Sequence, residues 1–229
     1  MPGRHKRAIV ALAGAVLALG LAAVVALAGV TVYKNNFSSR AEVREVKRSE
    51  GRHCDKRWRK KAESVRIEVK KGPGRCGYEP PVQGDSDRPD HTFKATGKLL
   101  KQTSRRVRGG AYVAVAVRVA KNSAYELRIF PARKKYQLRR DPSGGGGGFP
   151  VKGTSSAIKG VNKANVLGVK AVNDKVTAQV NGSKLAAVTD ASANRVKGRK
   201  VEVAVGHKRR SGRAVIATLD DLKLQVPKP

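Results

Sequence analysis

The sequence predicts an all-β protein, an antiparallel β-sandwich preceded by a single N-terminal transmembrane helix. Three observations carry this. Residues 8–33 contain no charged side chain. From Val65 onward, short runs of alternating apolar and polar residues follow one another, with turn residues between them. Hardly any segment past residue 64 has a 3.6-residue period, and a period of two marks half-buried antiparallel strands.

The chain opens on a basic tip, residues 1–7, with Arg4, His5, Lys6 and Arg7. The uncharged run from Ala8 to Tyr33 is 26 residues long. At about 1.5 Å per helical residue, such a run crosses a hydrocarbon core of roughly 30 Å. Its glycines, Gly14, Gly20 and Gly29, are tolerated in membrane helices and lack Gly-x-x-x-Gly spacing. The rival reading is a cleaved secretory signal, with Ala26-Leu27-Ala28 as a small-x-small cleavage site. The apolar run continues past that site through Val30 and Val32, which favours a retained anchor. A single-pass membrane location is expected, with secretion after cleavage near Ala28 as the alternative.

Orientation rests on more than flanking charge. Basic residues just beyond the run (Lys34, Arg40, Arg44, Lys47, Arg48) outnumber those before it, which by itself turns the large domain inward. Long C-terminal domains, however, translocate largely regardless of charge. The only two cysteines, Cys54 and Cys76, lie beyond the run, and an even count reads as a disulfide in an oxidising compartment. Two unrelated thiols, or a metal site completed by His53 and His91, remain alternatives. The short Cys-x-x-Cys and His-x-x-x-His pairs of structural zinc are missing. The expected topology puts the N-terminus in the cytoplasm and the C-terminal domain outside it.

Residues 34–63 are expected to form a polybasic stalk. Ser38–Glu63 holds ten Lys/Arg, five Asp/Glu and few apolar residues. Such a segment beside a span is drawn to anionic lipid by about 1 kcal/mol per basic residue. Trp58 is expected at the interface.

The sandwich is expected over residues 64–229. Its strand-like runs are Val65–Val69, Ala111–Val119, Tyr125–Ile129, Tyr136–Leu138, Asn165–Val172, Lys175–Asn181, Lys184–Val188, Lys200–Val205, Arg213–Leu219 and Leu222–Val226. Asn181-Gly182 between two alternating runs predicts a type I′ hairpin, which needs positive φ at both central residues. Asn173-Asp174 suits another tight turn, and Gly206–Gly212 a longer basic loop.

The charge limits partners without naming one. Against 49 Lys and Arg stand 17 Asp and Glu, a formal net charge of +32, far beyond what solubility needs. Such a field draws polyanions: nucleic acid, anionic lipid headgroups, or acidic and phosphate-bearing cell-surface polymers.

No catalytic constellation is visible. Hydrolysis of polysaccharides needs two carboxylates flanking the scissile bond, and no Glu-x-Asp-x-Glu pattern occurs. Glu126 and Glu202 each stand alone on a strand, and Glu126 is expected to pair with an arginine. Asp220 and Asp221 are adjacent, so they point to opposite faces. There is no Gly-x-Ser-x-Gly elbow, and Gly144–Gly148 lacks the Gly-Lys-Ser/Thr of a phosphate loop. Arg88 interrupts the acidic group Asp85, Ser86, Asp87 and Asp90, which falls short of the six oxygens calcium takes. No catalytic residue, metal or cofactor is expected, and the protein is not expected to be an enzyme.

Ser123–Pro227 carries an ordered set of pieces: Tyr125-Glu126-Leu127-Arg128, Tyr136-Gln137-Leu138-Arg139-Arg140, Ser156-Ala157-Ile158-Lys159, Asn165-Val166-Leu167, Val180-Asn181-Gly182, Asp190 and Leu219-Asp220-Asp221-Leu222. In this order and spacing the chain resembles the concanavalin A-like, laminin-G-like jelly-roll domains of secreted or membrane-tethered actinobacterial proteins. The resemblance implies two curved antiparallel sheets, with ligand sites on the concave face or rim loops.

Aromatic residues make up only 4% of the chain, so flat platforms for neutral sugars are scarce. Arg118, Arg128 and Arg139, on outward strand positions, are suited to bidentate contacts with carboxylate or phosphate. With Tyr125 and Tyr136 they are the candidate ligand-binding residues. The expected function is a non-catalytic, membrane-anchored module that contacts anionic or glycan components of the cell envelope, with no specific nucleic acid partner. The alternatives are a cytoplasmic-facing binder of nucleic acid or anionic lipid, and a purely structural or protein-interaction module. Oligomeric state is not legible.

Overall fold

The computed structural model describes residues 29–70, 72–82, 90–120, 123–141, 151–191, 196 and 198–227. The strands, in chain order, are β1 (Val30–Asn35), β2 (Lys47–Glu50), β3 (Cys54–Arg59), β4 (Ser64–Val69), β5 (Gly72–Glu79), β6 (His91–Leu99), β7 (Ala111–Ala120) and β8 (Ser123–Phe130). They continue as β9 (Lys135–Asp141), β10 (Val151–Thr154), β11 (Asn165–Val172), β12 (Lys175–Val180), β13 (Ser183–Thr189), β14 (Lys200–Ser211) and β15 (Val215–Val226). Two short helices, α1 (Arg40–Glu45) and α2 (Arg105–Arg108), complete the set apart from brief 3₁₀ turns.

The strands form two sheets. One has eight strands in the order β13-β12-β11-β6-β15-β4-β3, with β1 also on β15. The other has seven, ordered β10-β9-β8-β7-β14-β5-β2. Every pairing is antiparallel. Inward positions of both sheets meet in one core that includes Phe93, Leu127, Ile129, Leu167, Val169, Leu222 and Leu224. Burying each such side chain stabilises the fold by about 1.5–3 kcal/mol. Strand β6 shows the cause of the register plainly, because its residues alternate buried and half-buried from His91 to Leu99.

The sequence expectations hold where alternation is strong. Asn181 (φ 48°) and Gly182 (φ 84°) make the tight β12–β13 turn. The basic loop expected over Gly206–Gly212 is instead strand, since β14 runs on to Ser211. The two runs Arg213–Leu219 and Leu222–Val226 belong to one strand, β15, broken in register at Asp220–Lys223 and with Asp221 at φ 47°. Its first half pairs with β4 and its second half with β1.

The N-terminal boundaries need correction. Val30–Tyr33, assigned to the transmembrane helix, lie in β1, whose backbone pairs with Val226 to Leu222 of β15. Residues 1–28, and with them the basic tip and the bulk of the expected span, lie outside the described residues. Among the described residues no helix is long and apolar enough to cross a membrane.

The stalk assigned to residues 34–63 is folded into the sandwich. Strand β2 pairs with β5, and β3 with β4, so the segment supplies an edge to each sheet. Ahead of them, between β1 and β2, α1 is capped at its N-terminus: Ser39 Oγ accepts from Glu42 N, and the Glu42 carboxylate accepts from Ser38 N at 2.6 Å. Trp58 packs on the core and donates from Nε1 to the Phe37 carbonyl at 2.8 Å, rather than meeting lipid.

Cys54 and Cys76 form a disulfide, as expected. It joins β3 of one sheet to β5 of the other, so it staples the two layers along one edge. With both thiols consumed, the metal alternative involving His53 and His91 falls away. Among the described residues no group of His, Cys, Asp and Glu could hold a metal ion.

Candidate ligand-binding face

The outward positions of the seven-stranded sheet are unusual in their sizes. Along its central strands they are Tyr112, Ala114 and Ala116 on β7, Glu202, Ala204 and Gly206 on β14, and Arg75 and Gly77 on β5. Small residues make a floor across which long neighbours can lean. At Gly77 an added Cβ would lie 2.4 Å from Glu202 Oε2, and at Gly206 2.5 Å from the Tyr112 hydroxyl. Those two glycines leave room for a carboxylate and a phenol lying flat on the backbone.

Register puts the charged groups in one row. Glu202 pairs with Ala116, Ala116 with Glu126, and Glu126 with Arg139. Glu126 and Glu202 therefore sit two strands apart, about 10 Å between backbones at the usual strand spacing. Their side chains meet over Ala116. Arg75 Nη2 donates to Glu126 Oε1 at 3.0 Å and also to Glu202 Oε1, while its Nε donates to Glu126 at 3.1 Å. Arg75 also pairs with Glu50. Arg128 Nε donates to the other Glu126 oxygen at 2.5 Å, and Ser49 Oγ donates to Glu202 at 2.5 Å. The Arg128 guanidinium stacks on Tyr112, 4.7 Å from the ring centroid.

The electrostatics follow from this wiring. Burial alone would raise the Glu126 carboxyl, but Arg75 and Arg128 outweigh it and hold the group below its ordinary value. For Arg75, burial works against the charge, and Glu126 and Glu202 override it, so the guanidinium is held more firmly protonated than usual. The result is an ionised Glu126 held between two guanidinium groups in fixed orientation.

Among the described residues, two clefts open on this face. The first, about 820 Å³, is lined by Ser49, Glu79, Glu126, Arg128, Lys200 and Glu202 among others. The second, about 600 Å³, is lined by Phe130, Arg133, Lys135, Gln137, Lys152 and Lys208 among others. Arg128 and Phe130 are neighbouring outward residues of β8, and Tyr112 packs on both, with its ring 5.7 Å from that of Phe130. The clefts thus flank a shared ridge.

Of the five candidate residues, the structure brings two to this face. Arg128 touches Glu126, and Arg139 stands opposite Glu126 in register. The other three direct their polar groups elsewhere, although Tyr136 also lines the second cleft. Arg118, expected outward, is 2% exposed. It has a positive φ of 51° at the break in the β7–β8 register, which turns its side chain to Asp90 at 2.8 Å. Tyr125 is fully buried, with its hydroxyl on Asp190. Tyr136 donates to the Leu185 carbonyl of the opposite sheet at 2.8 Å. Glu126 has the arginine partners expected of it. Arg75 and Glu202 were not foreseen as parts of a site, because they lie 51 and 76 residues from Glu126 in sequence and only the sheet register joins them.

No family model matches the chain, and no curated protein matches it in sequence. Solved structures do match in shape. The carbohydrate-binding module CBM66 from Bacillus subtilis aligns with a TM-score of 0.58 at 11% identity, covering 79% of this chain and 95% of that one. A Bacillus subtilis protein of unknown function with a galectin-like fold gives 0.61 at 12% identity, covering 87% and 98%. The Bacillus licheniformis β-glucanase gives 0.60 at 10% identity, covering 86% and 99%. The fold is a jelly-roll β-sandwich. At these identities the likeness extends to architecture and no further.

Proposed function

We propose that this protein is a non-catalytic binding module that takes an anionic or glycan polymer of the cell envelope on the outer face of its seven-stranded sheet. One observation carries the reading: Glu126, Glu202, Arg75 and Arg128 converge in a cleft of about 820 Å³ over a floor of alanine and glycine. Sugar hydroxyls both donate and accept, and this cleft offers charged groups of both kinds in fixed positions. The shape likeness to a carbohydrate-binding module and a β-glucanase agrees with a glycan as the ligand class.

The same geometry argues against hydrolysis. A glycosidase needs one carboxylic acid that keeps its proton at working pH. Glu126, which faces Glu202 across the cleft, is held ionised by two guanidinium groups and so is not that acid. The Cys54–Cys76 disulfide supports an oxidising compartment, so the module would work outside the cytoplasm, tethered by residues 8–28 or released from them.

The test is retention of the full-length chain on isolated cell-wall polysaccharide, with released reducing ends assayed in parallel. Binding without hydrolysis is expected, and Arg128→Ala should weaken it about tenfold when measured at a temperature where circular dichroism shows the variant still folded. Release of reducing ends would overturn the non-catalytic part. Retention unaffected by Arg128→Ala would remove this face from the account.

A further inference from the structure

The two clefts differ in charge balance. In the first, Arg75 and Arg128 are matched by Glu50, Glu126 and Glu202, and Lys200 pairs with Glu79 at 3.0 Å. The second gathers Arg133, Lys135, Lys152 and Lys208 with no carboxylate in its lining. Among the described residues, none of these four makes an ion pair. Lys208 Nζ donates to a neutral partner, Gln137 Oε1, at 2.9 Å and sits 5.1 Å above the Phe130 ring.

Register fixes the cluster. Lys152 lies opposite Gln137, and Gln137 opposite Arg128, so β10 and β8 place a cation on either side of the neutral amide that Lys208 reaches. At Gly109 an added Cβ would meet Arg133 Nε at 2.9 Å, so the missing side chain lets the guanidinium rest against the backbone at the cleft wall. Gathering like charges costs energy in the free protein. Burial first, and after it Arg128, Arg139 and Lys152, push the Lys208 ammonium's pKa down. An oxyanion entering between these groups removes that repulsion, while Phe130 offers an apolar edge for the ring that bears it.

We propose that the second cleft is an anion subsite, which takes the carboxylate, phosphate or sulfate group of an acidic sugar whose neighbouring residues lie along the ridge to the first cleft. The assignment rests on the glycan-binding reading above, and it makes that ligand an acidic polysaccharide.

The experiment is calorimetric titration of the oxidised full-length chain with an oligogalacturonide and with its methyl ester, which lacks the charges. The wild type is expected to prefer the acid by about tenfold. Lys152→Gln with Lys208→Gln should abolish the preference and leave affinity for the ester intact. Lys94→Gln with Lys170→Gln, on the other sheet, makes the same change in net charge and should keep the preference. Equal binding of acid and ester by the wild type, or a preference that survives Lys152→Gln/Lys208→Gln, would overturn the subsite. If neither sugar binds, the glycan reading fails. The subsite then stands or falls on whether inorganic phosphate, against sodium chloride of equal ionic strength, raises the melting temperature of the wild type more than that of the Lys152/Lys208 variant.

Discussion

Glu126 on β8 and Glu202 on β14 accept hydrogen bonds from one and the same nitrogen, Nη2 of Arg75, although a whole strand separates them. Their side chains are 2% and 6% exposed, so water replaces little of what Arg75 supplies. Removing the shared cation leaves two buried charges facing each other. Arg75→Met is expected to cost about 3 kcal/mol, read from the urea midpoint, since breaking a buried pair is far costlier than replacing it whole. Adding Glu202→Gln to that variant should recover part of the loss. A cost within a few tenths of a kcal/mol would mean the network does not hold the sheet.

Acid should act through Glu126. Its folded pKa lies below the ordinary value of 4.5. A depressed carboxyl contributes stability above that value and loses it as pH falls through the folded pKa. Unfolding free energy is expected to decline below pH 4.5, with a shallower decline in Glu126→Gln. Parallel pH curves for the two proteins would assign the acid sensitivity elsewhere.

The disulfide closes a loop with a sequence separation of 22 and crosses between the sheets. Replacing both cysteines by serine should lower stability by about 3 kcal/mol. Since Arg75 is the residue before Cys76, ligand binding at the first cleft should weaken in the same variant. Retained affinity at full occupancy of the fold would uncouple the staple from the face.

On the outer face of the eight-stranded sheet, Lys34, Lys223 and Lys94 stand directly opposite one another on β1, β15 and β6. Like charges in register oppose pairing. Lys223→Glu is therefore expected to stabilise the protein by about 0.5–1 kcal/mol at low salt. The gain should shrink in 1 M salt, where the screening length falls to about 3 Å.

Gly182 at φ 84° meets no atom within 4 Å where a Cβ would stand, so space is not its constraint. Conformation is. Gly182→Ala should cost about 1–2 kcal/mol through the left-handed backbone alone. Asn181→Ala should cost more. It also removes the acceptor for Val166 N and the donors to the Ala157 carbonyl and Asn165 Oδ1.

What the sequence reveals depends on how far a strand lies from water. β7 and β8, central and buried, alternate strongly and were legible, as was the Asn181-Gly182 turn. β2 and β3 were not. Each is an edge strand, and all four β2 residues are exposed, so neither has an apolar face to signal it. Charge on an edge strand also guards against pairing with other chains, and this is why the segment reads as a stalk. β5, Gly72–Glu79, hides for a different reason: its glycines serve neighbours on the sheet rather than its own pattern. The site was half legible. Glu126 and Arg128 share a strand face and announce each other, whereas Arg75 and Glu202 enter through register alone. Arg118 misled because one left-handed residue reverses the alternation on which outward placement depends.

Strand β1 starts at Val30, immediately after Gly29, whose missing side chain lets the backbone press on the Val226 carbonyl. Every described strand lies on the C-terminal side of Ala28, so a cut after that residue would leave all of them in one piece. Under the binding proposal, a tethered form and a form cut there would present the same face and differ in reach and local concentration.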